Sequence, residues 1–282
     1  MKNRPIGFFD SGLGGLTCIP HLMQALPNER IIYFGDPART PYGSKAISTI
    51  RNFSYQIADF LIHNDVKMLV IACNTITSTC LYDLKEKYTN MPIIGIIDPV
   101  SKKIAESMDS SHHIGIIGTK VTINHKTYID SILSYNSKLN LYDKSCPIFV
   151  PLIEEGIIDN EIMNLSVKYY LDDFITSNHI DTLVLGCTHY PLIRENIECL
   201  YPNLKIIDPS EEIISCIKNA LHSRNLLSDT PYFENTFYAS DLSENFINMI
   251  DAIFGNTNVR VAFKNFDLDE LEYGKACRLL LE

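Results

Sequence analysis

LVLGCTHYP, residues 183–191, is a short apolar run that ends at a cysteine between small residues. Such a short, bounded run predicts a buried strand of a parallel sheet. The stretch MLVIACNT, residues 68–75, repeats the design. In an open α/β sheet, ligands bind beyond the carboxyl ends of the strands, which is where Cys73 and Cys187 lie. The two stretches therefore indicate two similar halves that face each other across one cleft.

Short apolar runs alternate with longer segments of helical periodicity along the whole chain of 282 residues. This alternation predicts parallel sheets connected by helices. The predicted strands are residues 6–9, 31–34, 68–72, 93–97, 114–117, 148–150, 183–185, 205–207, 236–239 and 259–263. The clearest predicted helices are residues 16–25, 46–63, 162–177 and 242–253.

Three pairs of similar segments suggest an internal duplication, each pair about 110 residues apart. IGFFDS at 6–11 resembles IGIIGT at 114–119, and IIDP occurs at both 96–99 and 206–209. The predicted fold class is α/β, with two pseudo-symmetric parallel-sheet α/β domains and the active site in the cleft between them. Each Asp-Pro pair is interpreted as a strand exit. The predicted domains are 1–97 plus 208–282, with the C-terminal segment returning to the first domain, and 98–207.

The composition excludes several classes of partner. A formal net charge of -10 and the lack of a Lys/Arg cluster argue against nucleic acid and anionic membranes. No apolar run has the length of a membrane span, and the first residues lack the apolar core of a signal peptide. The sequence therefore predicts a cytoplasmic protein with a small-molecule substrate, no nucleic-acid partner and no membrane partner.

The eight cysteines show no repeated Cys-x-x-Cys spacing, so we expect free thiols and no structural metal site. Outside the two strand ends, the cysteines are expected to be small buried hydrophobic residues. These are Cys18, Cys80, Cys146, Cys199, Cys216 and Cys277.

The residues around the two strand-end cysteines could support proton transfer. Both cysteines are predicted at helix starts, a position that lowers the pKa of a thiol. His189 lies two residues from Cys187 and could assist it, as Asp10 could assist Cys73 if it reaches that thiol. Glu154, predicted just after a strand, could orient His189.

Two loops and a few polar residues could bind an anionic ligand. DSGLGG at residues 10–15 precedes a predicted helix start, a natural carboxylate or phosphate site. The stiff loop at residues 33–43 could contribute backbone amides and the Tyr42 ring, whereas Arg39 and Lys45 are interpreted as solvated charges. Hydrogen bonds to a bound carboxylate could come from the side chains of Asn74, Thr75 and Thr188.

Two thiols across a cleft suit the inversion of a carbon acid, because one face must lose a proton while the other gains one. A disulfide between them is the alternative use. It would need Cα atoms closer than about 7 Å and would leave no room for a substrate.

The chain closely resembles the glutamate racemases of the cofactor-independent aspartate/glutamate racemase superfamily. The matching segments span most of the chain and keep the order of the family. They are DSGLGGL at 10–16, PYG at 41–43, ACNT at 72–75, PLIE at 151–154 and GCTHYP at 186–191.

The resemblance implies interconversion of L- and D-glutamate without cofactor or metal, supplying D-glutamate for peptidoglycan, by a homodimer. It implies that Cys73 is the base for D-glutamate and Cys187 the base for L-glutamate. Asp10 and His189 would assist their respective cysteines, with Glu154 supporting His189. Substrate binding is implied for Asp10, Ser11, Pro41, Tyr42, Gly43, Asn74, Thr75, Thr119, Thr122, Thr188 and His189.

Three other functions are open at this level. A racemase of the same superfamily acting on aspartate or a hydantoin fits because no arginine is evident for a distal carboxylate. A two-lobed amino-acid binding protein would need no paired thiols and normally carries an export signal. A redox sensor would use Cys73 and Cys187 as a disulfide pair.

Overall fold

The strands form two wholly parallel sheets. The structure is a computed structural model and describes residues 1–231, 234–254 and 259–266. Within these residues the strands are β1 Ile6–Asp10, β2 Ile31–Gly35, β3 Met68–Ile71, β4 Ile93–Gly95, β5 His113–Gly118, β6 Asn140–Ser145, β7 Thr182–Gly186, β8 Lys205–Ile207, β9 Asn235–Ala239 and β10 Val259–Phe263. All strand pairs run parallel, as expected when helices connect successive strands.

Helices separate most of the strands and cover the sheets. They are α1 Cys18–Ala25, α2 Ile47–His63, α3 Asn74–Lys87, α4 Ile97–Ser107, α5 Lys120–Asn124, α6 Thr127–Tyr135, α7 Phe149–Glu154, α8 Glu161–Asn178, α9 Arg194–Leu200, α10 Pro209–Ser223 and α11 Glu244–Phe254. Short 3-10 helices occupy Gly14–Thr17, Pro37–Arg39, Tyr42–Ser44 and Tyr190–Ile193.

Both sheets have the same internal strand order. The first sheet runs β10-β9-β2-β1-β3-β4, and the second runs β6-β5-β7-β8. In each, a cysteine lies just beyond the third strand of the repeated unit: Cys187 follows β7 directly, and Cys73 follows β3 after Ala72. The predicted fold class, two parallel-sheet α/β units, is confirmed.

We propose the domain boundaries that the sequence predicts, with one domain formed by 1–97 plus 208–282 and the other by 98–207. Pairing of β9 with β2 supports it, because this pairing attaches residues 235–239 to the first sheet. Residues 267–282, which the prediction places in the first domain, lie outside the described residues, as does Cys277.

The strand predicted at residues 148–150 is wrong. The strand of this region is β6, and α7 begins at Phe149. β6 lies at the edge of its sheet and is half-buried along its whole length, so its sequence NLYDKS lacks the continuous apolar run of a central strand. Glu154 consequently lies at the end of a helix and not just after a strand.

The interpretation of the first Asp-Pro pair as a strand exit is also wrong. β4 ends at Gly95, and Asp98 and Pro99 lie in the first turn of α4. Proline is tolerated there because the first amides of a helix have no intrahelical acceptor. The second pair does follow a strand, with Asp208 capping α10 through its side chain.

One buried apolar cluster joins the two units. It includes strand residues of both sheets, such as Phe8 and Ile116, and side chains from α1, α4, α6 and α10. These four helices include the fully buried Ile19, Val100, Ile132 and Ile217. The carboxyl ends of the two sheets are therefore held in a fixed relation by a shared core.

A buried ion pair lies at the amino-terminal end of the first sheet. Lys67 Nζ is 2.5 Å from Glu29 Oε2, and both side chains are only 2% exposed. Lys67 also donates to the carbonyls of Lys2 and Leu226, and the amide of Ser228 donates to Glu29 Oε1. The pair thus ties the segment after α10 to the start of the chain.

Lys67→Met is expected to destabilise the protein by about 3–5 kcal/mol, because it leaves the Glu29 carboxylate buried without its cation. Thermal and denaturant unfolding of the purified variant would measure this. The double variant Glu29→Gln/Lys67→Met removes both charges and should recover most of the loss. An unfolding midpoint of Lys67→Met equal to that of the wild type would contradict the prediction.

Candidate active site

Cys73 lies between β3 and α3 and caps the helix. Its Sγ accepts a hydrogen bond from the amide of Ile76 at 3.5 Å and lies 3.3 Å from Ser11 Oγ, to which the thiol donates. Burial, and then the nearby charge of Asp10, raise the pKa of this thiol. The expectation that a helix start lowers the pKa is wrong here, because burial outweighs the helix.

Cys187 lies beyond β7 and begins a line of three side chains. It is followed by the 3-10 helix Tyr190–Ile193 and not directly by an α-helix, which corrects the predicted helix start. Its Sγ is 3.9 Å from Nδ1 of His189, whose Nε2 is 2.5 Å from Glu154 Oε1. The order thiol, imidazole, carboxylate lets Glu154 orient the ring and stabilise its charged form.

His189 is wholly buried, and burial alone would lower its pKa. The hydrogen bonds to Cys187 and Glu154 and the negative charges of these groups outweigh burial and raise the pKa of the imidazole well above its ordinary value. Nδ1 of His189 is therefore placed to exchange a proton with the Cys187 thiol. The two cysteines thus have different surroundings, one beside a cation and one beside a carboxylate.

Asp10 lies behind the cavity at the end of β1. Its Oδ2 accepts hydrogen bonds from the amides of Gly12 and Gly15, and its Oδ1 accepts one from the hydroxyl of Thr188 at 3.3 Å. Burial raises the pKa of this carboxyl, although His189 and the amide donors oppose the shift. A buried carboxylate that joins the loops of both units is a candidate for a functional role.

Thirteen residues from both units line one cavity between the strand ends. These are Ser11, Thr40, Pro41, Tyr42, Gly43, Cys73, Asn74, Thr75, Thr119, Val150, Cys187, Thr188 and His189. The cavity therefore brings both cysteines together with most of the predicted binding residues. Asp10, Thr122 and Glu154 do not line the cavity. Each is hydrogen-bonded to a residue that does. Thr40 and Val150 line it although sequence reasoning did not select them.

The cavity is narrow. About 10 Å³ of it is open to the centre of a water molecule, which is about the space that one water needs. Binding of an amino acid therefore requires some of the lining side chains to move.

Three threonine hydroxyls meet at one wall. Thr75 Oγ1 lies 3.0 Å from Thr119 Oγ1 and 3.3 Å from Thr122 Oγ1, and the last two are 3.0 Å apart. Thr75 belongs to α3, whereas the other two belong to the start of α5. Neutral hydroxyls of this kind can donate to a carboxylate without introducing a fixed charge.

The loop with Pro41, Tyr42 and Gly43 is held by a buried ion pair. Asp36 Oδ2 accepts hydrogen bonds from the Tyr42 hydroxyl and, at 2.7 Å, from Arg39 Nε. The Arg39 side chain is only 8% exposed, so its interpretation as a solvated charge is wrong. Its role is to position the loop and its ring.

Two glycines allow the loops of the first unit to touch the second. A Cβ at Gly43 would lie 2.4 Å from Thr119 Cβ, and a Cβ at Gly14 would lie 2.5 Å from Thr188 Oγ1. Real Cβ atoms do not approach that closely, so any larger residue would push the units apart. Glycine is needed here for close approach of the backbone.

Among residues 1–231, 234–254 and 259–266, no group of three or more His, Cys, Asp or Glu side chains has a geometry suited to a metal ion. In the same part of the chain, every helix is too short or too polar to cross a bilayer.

Of the described cysteines, all are free thiols. Cys18, Cys80 and Cys146 are buried as predicted, whereas Cys199 is exposed and Cys216 is half-buried, which corrects the prediction for these two.

The chain is similar to known racemases. A family model described as Asp/Glu/Hydantoin racemase matches residues 16–217. The chain is 46% identical to the curated glutamate racemase of Sulfurihydrogenibium sp. over 216 residues, 76% of this chain and 82% of that protein. It is 40% identical to the glutamate racemase of Geobacter metallireducens over 257 residues, 90% of this chain and 94% of the relative.

A solved structure with a similar fold is glutamate racemase from Francisella tularensis in complex with D-glutamate. It superposes with a TM-score of 0.87 at 37% identity, covering 95% of this chain and 100% of that chain. The likeness therefore extends over both sheets and the cleft between them.

Proposed function

The chain belongs to the Asp/Glu/Hydantoin racemase family and is an amino-acid racemase, and we propose that it interconverts L- and D-glutamate by proton transfer at the α-carbon. The observation that carries this proposal is the placement of Cys73 and Cys187 at equivalent strand ends of the two sheets, lining one cavity. Relatives with 40% identity or more are named glutamate racemases, which supports glutamate as the substrate.

In the proposed reaction each cysteine serves one face of the substrate. With L-glutamate, the Cys187 thiolate takes the α-proton and becomes a thiol. The electron pair of the broken C–H bond stays on the α-carbon, and the Cys73 thiol delivers its proton to the opposite face. The product is D-glutamate, with the thiolate now on Cys73, and the reverse reaction uses the thiols in the opposite roles.

The surroundings of the two thiols support this assignment. His189 Nδ1 lies 3.9 Å from Cys187 Sγ and can exchange a proton with it, whereas burial raises the pKa of Cys73 and keeps its proton in place. We propose that Asp10 assists Cys73 through its nearby charge and that His189 assists Cys187, with Glu154 holding the ring.

The carbanion has no cofactor to spread its charge in this proposal, so protein groups must stabilise it. The Asn74 amide binds the substrate carboxylate, while the hydroxyls of Thr75 and Thr188 and the first amides of α3 face the charge that develops. Ser11, Tyr42 and Gly43 on the opposite loops would position the remaining part of the substrate. A substrate that fills this narrow cavity would displace water from it, which strengthens these interactions.

The decisive experiment follows L-glutamate with the purified protein in D2O, without added cofactor, by circular dichroism and proton NMR. Decay of optical rotation together with deuterium at the α-position is expected. Exchange with aspartate but not glutamate would keep the mechanism and replace the substrate. Binding without exchange would favour the amino-acid binding protein, and a thiol titration that changes with reductant would favour the redox sensor.

Glu154→Gln is expected to move the pH dependence of the reaction. The charge of Glu154 helps to raise the pKa of His189, so its loss lowers that pKa. The imidazolium is then lost at lower pH, and the alkaline limb of kcat/KM for L-glutamate should shift to lower pH. We also expect a fall of about 10–100-fold in activity at neutral pH.

The matched control is Glu155→Gln, because this neighbouring carboxylate lies on the surface. Its pH–rate profile should coincide with that of the wild type. A Glu154→Gln profile with an unshifted alkaline limb would contradict the assigned role of Glu154.

By its family, we propose that the protein is a cytoplasmic homodimer that supplies D-glutamate for peptidoglycan. Ile162, Leu165 and Tyr169 support self-association, because they form an exposed apolar stripe along α8 with Ile148 beside it. A two-fold dimer places the same patch of both copies together.

Leu165→Glu is expected to yield monomers in sedimentation analysis, where the wild type sediments as a dimer. A wild type that sediments as a monomer would contradict the dimer.

A further inference from the structure

Tyr128 of α6 contacts the residues next to both strand-end cysteines. Its ring packs on Gly186, the residue before Cys187, where an added Cβ would lie only 3.2 Å from Tyr128 Cε2. Its hydroxyl donates a hydrogen bond of 2.7 Å to Oδ1 of Asn74, the residue after Cys73. Tyr128 is 2% exposed and belongs to the apolar cluster that joins the two units.

The hydrogen bond from Tyr128 fixes the orientation of the Asn74 amide. Burial, and then the charges of Asp208 and Cys187, raise the pKa of the Tyr128 phenol well above its ordinary value, so it keeps its proton. A buried phenol proton needs an acceptor, which the amide supplies through Oδ1 and not through its nitrogen.

The other end of the Asn74 amide, its NH2 group, has no partner within the described protein residues. Asn74 lines the ligand cavity and is 2% exposed. A buried amide nitrogen without a partner is costly unless a ligand satisfies it. A rotated amide would present its oxygen to the cavity and repel a carboxylate.

We propose that Tyr128 is a positioning residue for the racemase reaction, which turns the Asn74 amide so that its NH2 group meets the substrate carboxylate. This inference rests on the proposed function of the cavity. Because the ring also supports the backbone before Cys187, one side chain of the second unit sets the geometry beside both thiols.

Tyr128→Phe tests this directly, because it keeps the ring and removes only the hydroxyl. KM for both L- and D-glutamate is expected to rise about tenfold, the equivalent of one hydrogen bond to a charged group, with kcat changed less than about threefold. KM takes most of the effect because the substrate carboxylate is charged both when bound and during proton transfer. Circular dichroism of purified variants gives both constants.

Tyr135→Phe is the matched control on the same helix. Its hydroxyl donates a hydrogen bond of 2.9 Å to Asp98 Oδ1 on the exposed side of α6. Neither residue lines the cavity. Its KM and kcat should equal those of the wild type. Equal losses in both tyrosine variants would indicate a general effect on α6 and overturn the proposal.

A double-mutant cycle separates positioning from general support of the fold. Asn74→Ala should raise KM strongly in the wild type but add less than about threefold in the Tyr128→Phe background, because the amide is no longer oriented there. If the double variant instead raises KM by the product of the two single effects, the proposal is overturned. An unchanged KM in Tyr128→Phe would also overturn it. A wild type that exchanges no α-proton of glutamate would instead contradict the proposed function, and this inference with it.

Discussion

Cys73→Ala and Cys187→Ala are each expected to abolish racemisation, with a loss in kcat/KM of at least about 10⁴-fold. Each variant lacks the acid or base on one face of the α-carbon, and no other thiol lines the cavity within the described residues. Alanine fits the space of a buried cysteine, so the fold should remain intact. Circular dichroism with either enantiomer measures the loss.

Cys80→Ala is the matched control, since Cys80 is a buried thiol on α3, the helix that Cys73 caps, but does not line the cavity. It should retain the activity of the wild type. Deuterium exchange sharpens the test, because any residual exchange should be confined to L-glutamate in Cys73→Ala and to D-glutamate in Cys187→Ala. Normal turnover in either cavity variant would refute the two-base assignment.

Asp10→Asn is expected to lower kcat/KM by about 10²–10³-fold while raising the thermal stability of the protein at neutral pH. The neutral amide can keep the acceptor for Gly12 and Gly15 and still bond Thr188, but it cannot supply a charge beside Cys73. The activity loss therefore arises from the charge and not from the shape of the loop.

The stability change follows from the raised pKa of Asp10. A carboxyl whose pKa is higher in the folded state than in the unfolded state binds its proton more tightly when folded. It therefore favours folding in acid and loses that contribution as pH rises through the folded pKa. The melting temperature of Asp10→Asn should exceed that of the wild type by an amount that grows from pH 4 to pH 7. A constant or shrinking difference would contradict burial as the cause.

The sequence allowed the two strand-end cysteines to be predicted because their signal is local. An apolar run with a cysteine at its end marks the carboxyl edge of a parallel strand, and its repetition indicates the duplicated strand order. By contrast, β6 has no such signal, because an edge strand that is half-buried along its whole length carries polar residues such as Asn140 and Asp143. Its apolar content is set by its place in the sheet and not by its own periodicity.

Contacts that depend on distant segments could not be predicted. Arg39 is interpreted as a solvated charge until the fold buries it against Gln56 and the Phe53 ring of α2. Thr40 and Val150 reach the cavity only because loops of different units meet there. The helix position of Cys73 predicts a lowered thiol pKa, whereas burial and the charge of Asp10, which is distant in the sequence, raise it.

The repeated strand order places two similar thiols at equivalent strand ends, but their neighbours differ: a carboxylate lies near Cys73 and an imidazole beside Cys187. Enantiomers have equal free energies in water, so the Haldane relation requires kcat/KM to be equal for L- and D-glutamate. The asymmetry can therefore appear only as compensating differences in kcat and KM, and in which thiol holds the proton between turnovers. The proposed enzyme would therefore differ in kcat and in KM between the two enantiomers, yet it would bring them to an equal mixture at equilibrium.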